Sequence, residues 1–185
     1  MTLFEFLSVA VSIVLALSAG ELLTNLRYAF DADRRYWVHS IWVIQQLLMH
    51  ILVWWALWAY RDVQSWNLLT FTLVLLPPGF LFLCTTTLVP RNSSEIVSWH
   101  DHFFQVRRWF FAARILFIVA AAVRTWLLLD KPLWISPTRA SAPMLACCLA
   151  GFFVSNRRVQ EAISVATLLL LVFGVSYLRL EAGAR

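Results

Sequence analysis

The sequence predicts an all-α membrane protein, a polytopic helical bundle of about six transmembrane helices in a single domain over residues 1–185. The composition is the first observation behind this prediction. Hydrophobic residues make up 61% of the 185 residues and charged residues only 14%, whereas a soluble domain is usually about 45–50% apolar and about 25% charged. The second observation is that the apolar residues form long runs of the length of a bilayer span, without the alternating strands of a membrane barrel.

Six apolar segments follow one another along the chain. The predicted spans cover roughly 3–24, 37–60, 67–89, 109–129, 141–156 and 160–179. A span needs about 20 residues, so the fifth segment is short and fits either a span or a re-entrant helix. We count it as a span because the sixth segment must otherwise change sides of the membrane.

The connection "NSSEIVSWHDHFFQVRR" between the third and fourth segments predicts an amphipathic helix that lies in the membrane interface. Asn92 can cap its start, and Glu95 three residues later can complete a capping box. We therefore expect this helix to run along the headgroups before the fourth span begins near residue 109.

The charges indicate topology rather than a basic binding surface. The net charge of +5 comes from residues in short polar breaks between apolar runs, which is typical of charges beside lipid headgroups and unlike a nucleic-acid face. Basic residues are slightly more frequent in the loops after the first, third and fifth segments, which favours both termini outside the cytoplasm. The start "MTLFEFL" lacks a basic region, so we expect the first helix to remain in the mature protein.

Small residues recur every four positions in the first segment, at Ser8, Ser12, Ala16 and Gly20. Small residues at this spacing let two helix backbones approach closely in lipid. Two interpretations remain open, namely packing inside one subunit and an interface between subunits.

Polar residues share one face of the second segment. His39, Gln46 and His50 lie seven and four residues apart, and Gln45 lies about 100° round from Gln46. Polar side chains in a span face the bundle interior or a wet cavity rather than lipid. This face therefore predicts hydrogen bonds between helices, a polar pore or proton path, ligation of haem or a metal, or contact with a partner membrane protein.

The histidines give the haem and metal hypothesis its residues. His39 should lie on the same membrane side as His100 and His102, where two imidazoles could meet as ligands. His50 lies about 16 Å deeper along the helix, and His100 and His102 are two residues apart, so they point to different faces of one helix. We expect no cofactor or metal and keep haem as an alternative.

Two further features fall inside or near the spans. Arg114 lies near the start of the fourth segment, close enough for its side chain to reach the headgroups, or alternatively to pair with Glu21 from the first. Pro77, Pro78 and Gly79 stand near the middle of the third segment and predict a kink. Such kinks are either static or part of a transport site, and the following "CTTT" offers hydroxyls to the freed carbonyls.

The sequence carries no phosphate loop, nucleophile elbow, HExxH motif or glycine-rich fingerprint, so we do not expect an enzyme. The stretches "FEFLSVAVSIVLALSAGELL", "RYWVHSIWVIQQLLMHILVWWALW" and "HDHFFQVRRWFF" resemble a group of small multi-span bacterial proteins of unassigned function. This resemblance implies a bacterial cytoplasmic membrane and transfers no site residues.

Three functions are compatible with these features. The leading hypothesis is an oligomeric membrane protein that passes a small ion or proton along the polar face of the second segment and the kinked third. The rival is a non-catalytic structural or scaffold subunit of a larger membrane complex. The third is a haem-binding electron-transfer protein. In each case the expected surroundings are the lipid bilayer and other protein subunits, with no nucleic acid.

Overall fold

A computed structural model describes residues 3–63, 66–130 and 141–182, with the side chains of the last helix described through residue 175. The described chain is all-α, which confirms the predicted fold class. Its six helices are α1 (Leu3–Ala29), α2 (Trp37–Leu57), α3 (Leu68–Leu88), α4 (Trp99–Leu129), α5 (Ser141–Phe153) and α6 (Arg157–Ala182).

Five of these helices are long and apolar enough to cross a membrane, namely α1, α2, α3, α4 and α6. The helix α5 has 13 residues, a length of about 20 Å at 1.5 Å per residue. The hydrocarbon core of a bilayer is about 30 Å thick. The predicted span over 141–156 stays a prediction, because residues 131–140 before it lie outside the described ranges; its described helix ends at Phe153.

The predicted interfacial helix does not form as a separate element. Asn92 and Glu95 belong to a short 3₁₀ turn, and the Asn92 amide donates to the Glu95 carboxylate at 3.3 Å instead of capping a helix. The cap comes later, where the Ser98 hydroxyl accepts from the backbone N–H of Asp101 at 3.3 Å. As a result α4 is one continuous helix of 31 residues that begins at Trp99 and not near 109.

The helix α3 continues through its two prolines. Asn67 caps it in a reciprocal capping box with Thr70, and Pro77 and Pro78 lie buried inside it. The hydroxyls of Thr85, Thr86 and Thr87 bond carbonyls of Leu81, Phe82 and Leu83 in their own turn. They do not reach the carbonyls of residues 73 and 74, which the prolines free.

The helices α1 and α4 pack on α3, while α5 packs between α4 and α6. Aromatic side chains fill the contact between α2 and α4, where the buried Trp42 ring meets Phe110 and Phe111 edge-on. The helix α5 approaches α4 closely at Gly151, where an added Cβ would lie within 2.7 Å of three Phe111 ring atoms. A glycine is therefore required at this contact.

The loops after α1 and α3 are joined at one end of the bundle. The Arg34 guanidinium donates to the carbonyls of Ser94 at 3.1 Å and Ile96 at 2.9 Å, and the Trp99 indole donates to the carbonyl of Tyr28 at 2.6 Å. Arg34 also donates to the Asp31 carboxylate at 2.5 Å, and this hydrogen bond holds the pKa of that carboxyl below its ordinary value. These contacts fix the bundle end against which His39 packs.

A buried arginine caps the end of the short helix. Nη1 of Arg107 donates to the carbonyls of Gly151 at 2.7 Å, Phe152 at 3.0 Å and Val154 at 2.8 Å. The last carbonyls of a helix have no partner within it, and a cation there also complements the helix dipole. Gln160 of α6 adds donors to two of the same carbonyls, at 3.0 and 2.6 Å. The end of α5 is thus tied to both neighbouring helices.

We expect Arg107→Met to lower the free energy of unfolding by about 3 kcal/mol, because buried carbonyls lose charged donors worth about 1.5–3 kcal/mol each and Gln160 replaces only some of them. The exposed Arg108 provides the matched control, and Arg108→Met should change the stability little. Unfolding in detergent micelles, followed by circular dichroism, measures both. Equal losses in the two variants would contradict the capping role.

Candidate functional site

The amide of Gln46 lies at the centre of a buried polar network between α1, α2, α3 and α4, which we call the Gln46 network. Its members are Ser18, Gln46, His50, Thr85 and Arg114. The Gln46 side chain is fully buried. Its amide nitrogen donates to the carbonyl of Leu81 at 2.8 Å and to the Thr85 hydroxyl at 3.0 Å. Because it also accepts from Arg114 of α4, this side chain joins the three helices α2, α3 and α4.

His50 extends the network by one helical turn. Its Nδ1 lies 2.7 Å from the backbone carbonyl of Gln46, and its Nε2 lies 2.7 Å from the hydroxyl of Ser18. The Ser18 and Thr85 hydroxyls are 2.9 Å apart. The imidazole thus has a partner at each nitrogen, and both hydroxyls are fully buried.

The donors and acceptors can be assigned for neutral His50. A carbonyl only accepts, so Nδ1 carries the proton and donates to Gln46. Nε2 is then an acceptor, and the Ser18 hydroxyl donates to it. Ser18 in turn accepts from Thr85. Every link between Thr85 and His50 is satisfied in this arrangement.

The same atoms accommodate protonated His50 when the two hydroxyls rotate. Both imidazole nitrogens are then donors, so Ser18 accepts from Nε2 and donates to Thr85. The Thr85 hydroxyl then donates a hydrogen bond to the carbonyl of Leu81, which lies 3.2 Å away. The hydroxyl chain can therefore point in either direction without leaving a donor unpaired.

Arg114 supplies the fixed charge of the network. Nη1 donates to the Gln46 side-chain carbonyl at 3.2 Å, and the guanidinium carbon lies 5.2 Å from the centre of the Trp42 ring. The side chain is 1% exposed. Arg114 is 15 residues from each end of α4, a distance of about 22 Å. Because the guanidinium is buried and bonded to Gln46 inside the bundle, the expected reach to the headgroups is wrong.

The expected pairing of Arg114 with Glu21 also does not form. Glu21 instead accepts from Nε of Arg91 at 2.8 Å. No carboxylate among the described residues makes an ion pair with Arg114. The network therefore contains a cation that pairs with no carboxylate of the described residues and donates to the uncharged amide of Gln46.

Gln45 belongs to a different contact from Gln46. Its amide nitrogen donates to the carbonyl of Ser164 and to the Thr167 hydroxyl, each at 3.2 Å. Gln45 therefore binds α2 to α6 on the other side of the helix. The predicted polar face is divided between two neighbouring surfaces, and both amide nitrogens donate to a neighbouring helix.

Two of the three histidines of the predicted haem or metal site cap the end of α3. Nε2 of His39 donates to the carbonyl of Leu88 at 2.9 Å, and Nε2 of His102 donates to that of Thr87 at 3.2 Å. Their rings lie 6.5 Å apart, while His100 turns away to Asp101. Ligation through Nε2 would break both caps. Across the described ranges, no group of three or more potential ligands could hold a metal ion.

The small-residue face of α1 lies at the edge of the bundle. Ser8 and Ser12 are half-buried, while Ala16 and Gly20 are exposed. The Trp54 indole donates to the Ser12 hydroxyl at 3.3 Å, which joins α1 to α2. A Cβ at Gly20 would have no neighbour within 4 Å. Packing inside one chain thus uses only the first half of this face.

Comparison of the chain with protein-family models, curated proteins and solved structures finds no match. The functional argument therefore rests on the chemistry of the network. Sequence reasoning identified Gln46 and His50, assigned Thr85 only to the carbonyls of the kink, and missed Ser18, since a single hydroxyl in an apolar run is common and carries no periodic signal.

We expect Gln46→Leu to lower the free energy of unfolding by about 3–5 kcal/mol, because it removes the acceptor of a buried charge. Gln105→Leu, at an exposed position of α4, is the control and should have a small effect. In the double variant with Arg114→Leu the loss should be smaller than the sum of the single losses. A double-mutant cycle of unfolding in detergent tests this, and strictly additive losses would show that the two side chains do not interact.

Proposed function

We propose that this chain is a non-enzymatic multi-pass membrane protein that carries protons along the Gln46 network. The observation that supports the proposal is the placement of His50. It is the only imidazole in the network, and its Nε2 contacts a hydroxyl pair that can reverse direction. An ionisable side chain inside a span is costly in lipid and marks ion pathways and proton relays. Histidine is the side chain that gains and loses a proton near neutral pH.

The depth of these groups supports a path across the membrane. His39, Gln46, His50 and Trp54 follow one face of α2, at intervals of seven, four and four residues. His39 and Trp54 are about 22 Å apart along the helix axis. Trp54 contacts Ser12 at one end, and His39 lies beside His102 at the other. Water molecules between these groups would complete the chain of hydrogen bonds.

The dense packing favours protons over larger ions. Gln46, Thr85 and Ser18 are all fully buried, so no open aqueous pore runs through the network. A proton moves by exchange along hydrogen bonds and needs no cavity of its own size. Arg114 keeps its charge at any physiological pH, so it does not itself carry the proton.

The direct test is proton flux into liposomes that contain a pH-sensitive dye and are driven by a potassium diffusion potential. Wild-type protein should acidify the lumen faster than empty liposomes. His50→Leu should reduce the rate by at least about tenfold, because no other titratable histidine takes its place in the network. Ser18→Ala should also reduce the rate, since it removes the hydroxyl between His50 and Thr85.

His100→Leu is the matched control, because His100 lies outside the network and is bound to Asp101. It should conduct like the wild type. A wild-type rate no greater than that of empty liposomes would end the proposal. Equal rates for the His50 and His100 variants would show that protons use another route.

A second candidate function is that of a structural subunit in a larger assembly. The specific observation in its favour is the exposed part of the small-residue face, where Ala16 and Gly20 present backbone to the membrane. Close approach of helix backbones is a main source of association in lipid, where the hydrophobic effect is absent.

Gly20→Leu should shift the protein from its assembled form to free chains, because the new side chain blocks close approach while clashing with nothing in its own chain. Native mass spectrometry after gentle extraction measures the shift. Ala146→Leu, at an exposed position of α5, introduces the same side chain elsewhere and should leave the mass unchanged. Free chains in the wild type as well would exclude a stable assembly through this face.

A further inference from the structure

We infer that the guanidinium of Arg114 binds a small monovalent inorganic anion of halide size in the centre of the bundle. The inference concerns a different property from proton transfer and does not depend on it. It rests on the hydrogen-bond donors of Arg114 and Trp42 that the described chain leaves without partners.

The charge of Arg114 requires compensation. The side chain is 1% exposed and lies in the middle of α4. Burial of an unpaired charge in a medium of low dielectric constant costs several kcal/mol even after relaxation. The Trp42 ring and the Gln46 amide stabilise the cation in part. Neither of them carries a negative charge.

Three N–H-bearing atoms in this region have no acceptor within the described residues. They are Nε and Nη2 of Arg114 and Nε1 of Trp42, and both side chains are at least 98% buried. More than nine in ten buried polar groups have a hydrogen-bond partner. Two unpaired guanidinium nitrogens on one buried cation therefore point to a ligand that accepts hydrogen bonds and carries negative charge.

The surroundings limit the ligand to a small one. Arg114 and Trp42 are both at least 98% buried among packed helices, so only a compact ligand such as a monovalent halide can lie beside them. The neighbouring thiols of Cys84 and Cys148 do not supply the missing negative charge, because a thiol is neutral at physiological pH. A protein carboxylate from another subunit cannot reach a side chain this deeply buried. Chloride is the halide that we use as the probe.

The test is thermal unfolding of the purified full chain in detergent, at constant ionic strength, with chloride exchanged for gluconate. In wild-type protein Tm should rise with the logarithm of the chloride concentration, because a ligand that binds only the folded state stabilises it by mass action. Bromide should replace chloride, whereas gluconate is too large. A wild-type Tm that is the same in chloride and gluconate overturns the inference.

Two variants locate the effect. Arg114→Gln should abolish the chloride dependence completely. Arg124→Gln should keep it, since Arg124 is a second buried arginine that stacks on an aromatic ring, Tyr60, about ten residues along the same helix. A chloride dependence that persists in Arg114→Gln, or disappears equally in both variants, also overturns the inference.

A third variant remains informative if Arg114→Gln does not fold. Gln46→Glu places a carboxylate where the amide oxygen now accepts from Arg114, and so supplies a counter-ion from within the chain. In gluconate, Tm of this variant should exceed Tm of the wild type. Its Tm should no longer depend on the chloride concentration. Chloride dependence equal to that of the wild type would show that the anion binds elsewhere.

Discussion

The hydrogen bonds of the Gln46 amide are the interaction on which the centre of the bundle depends. A bilayer offers no water to an unpaired polar group, so each such group must find its partner inside the protein. The Gln46 side chain provides both a donor and an acceptor, and it uses them on α3 and α4. His50 then returns to the backbone of Gln46 and reaches α1 through Ser18. Four helices are thereby fixed by directional contacts as well as by packing.

The remaining polar side chains of the bundle mostly satisfy helix ends. Arg107 covers the last carbonyls of α5, while His39 and His102 cover those of α3. Such caps pair polar side chains with backbone carbonyls that have no partner inside their own helix. They separate two chemical roles inside one membrane domain. Residues at helix ends are held by backbone carbonyls, whereas the members of the Gln46 network are also held by one another's side chains.

The sequence predicted the fold class because the lengths of apolar runs follow directly from bilayer thickness. The polar face of α2 was also predictable, since helical periodicity puts Gln46 and His50 together. The deep burial of Arg114 in the bundle was not predictable from the sequence. The polar stretch before it is typical of an interface, yet Ser98 caps a helix there that continues without interruption. The roles of Ser18 and Thr85 depend on which helices are neighbours, and no local pattern in one sequence contains that information.

The short helix α5 affects the surrounding lipid as well as the protein. Its described residues cover about 20 Å, against a hydrocarbon core about 30 Å thick, while the neighbouring helices α4 and α6 have the length of full spans. Over the described residues, the apolar surface that α5 presents to lipid is therefore shorter than that of its neighbours. Lipid chains next to α5 must shorten or tilt to match it, at a cost of a fraction of a kcal/mol for each Å of mismatch. Bilayer thickness thus becomes a physical variable to which one flank of this protein responds more strongly than the other.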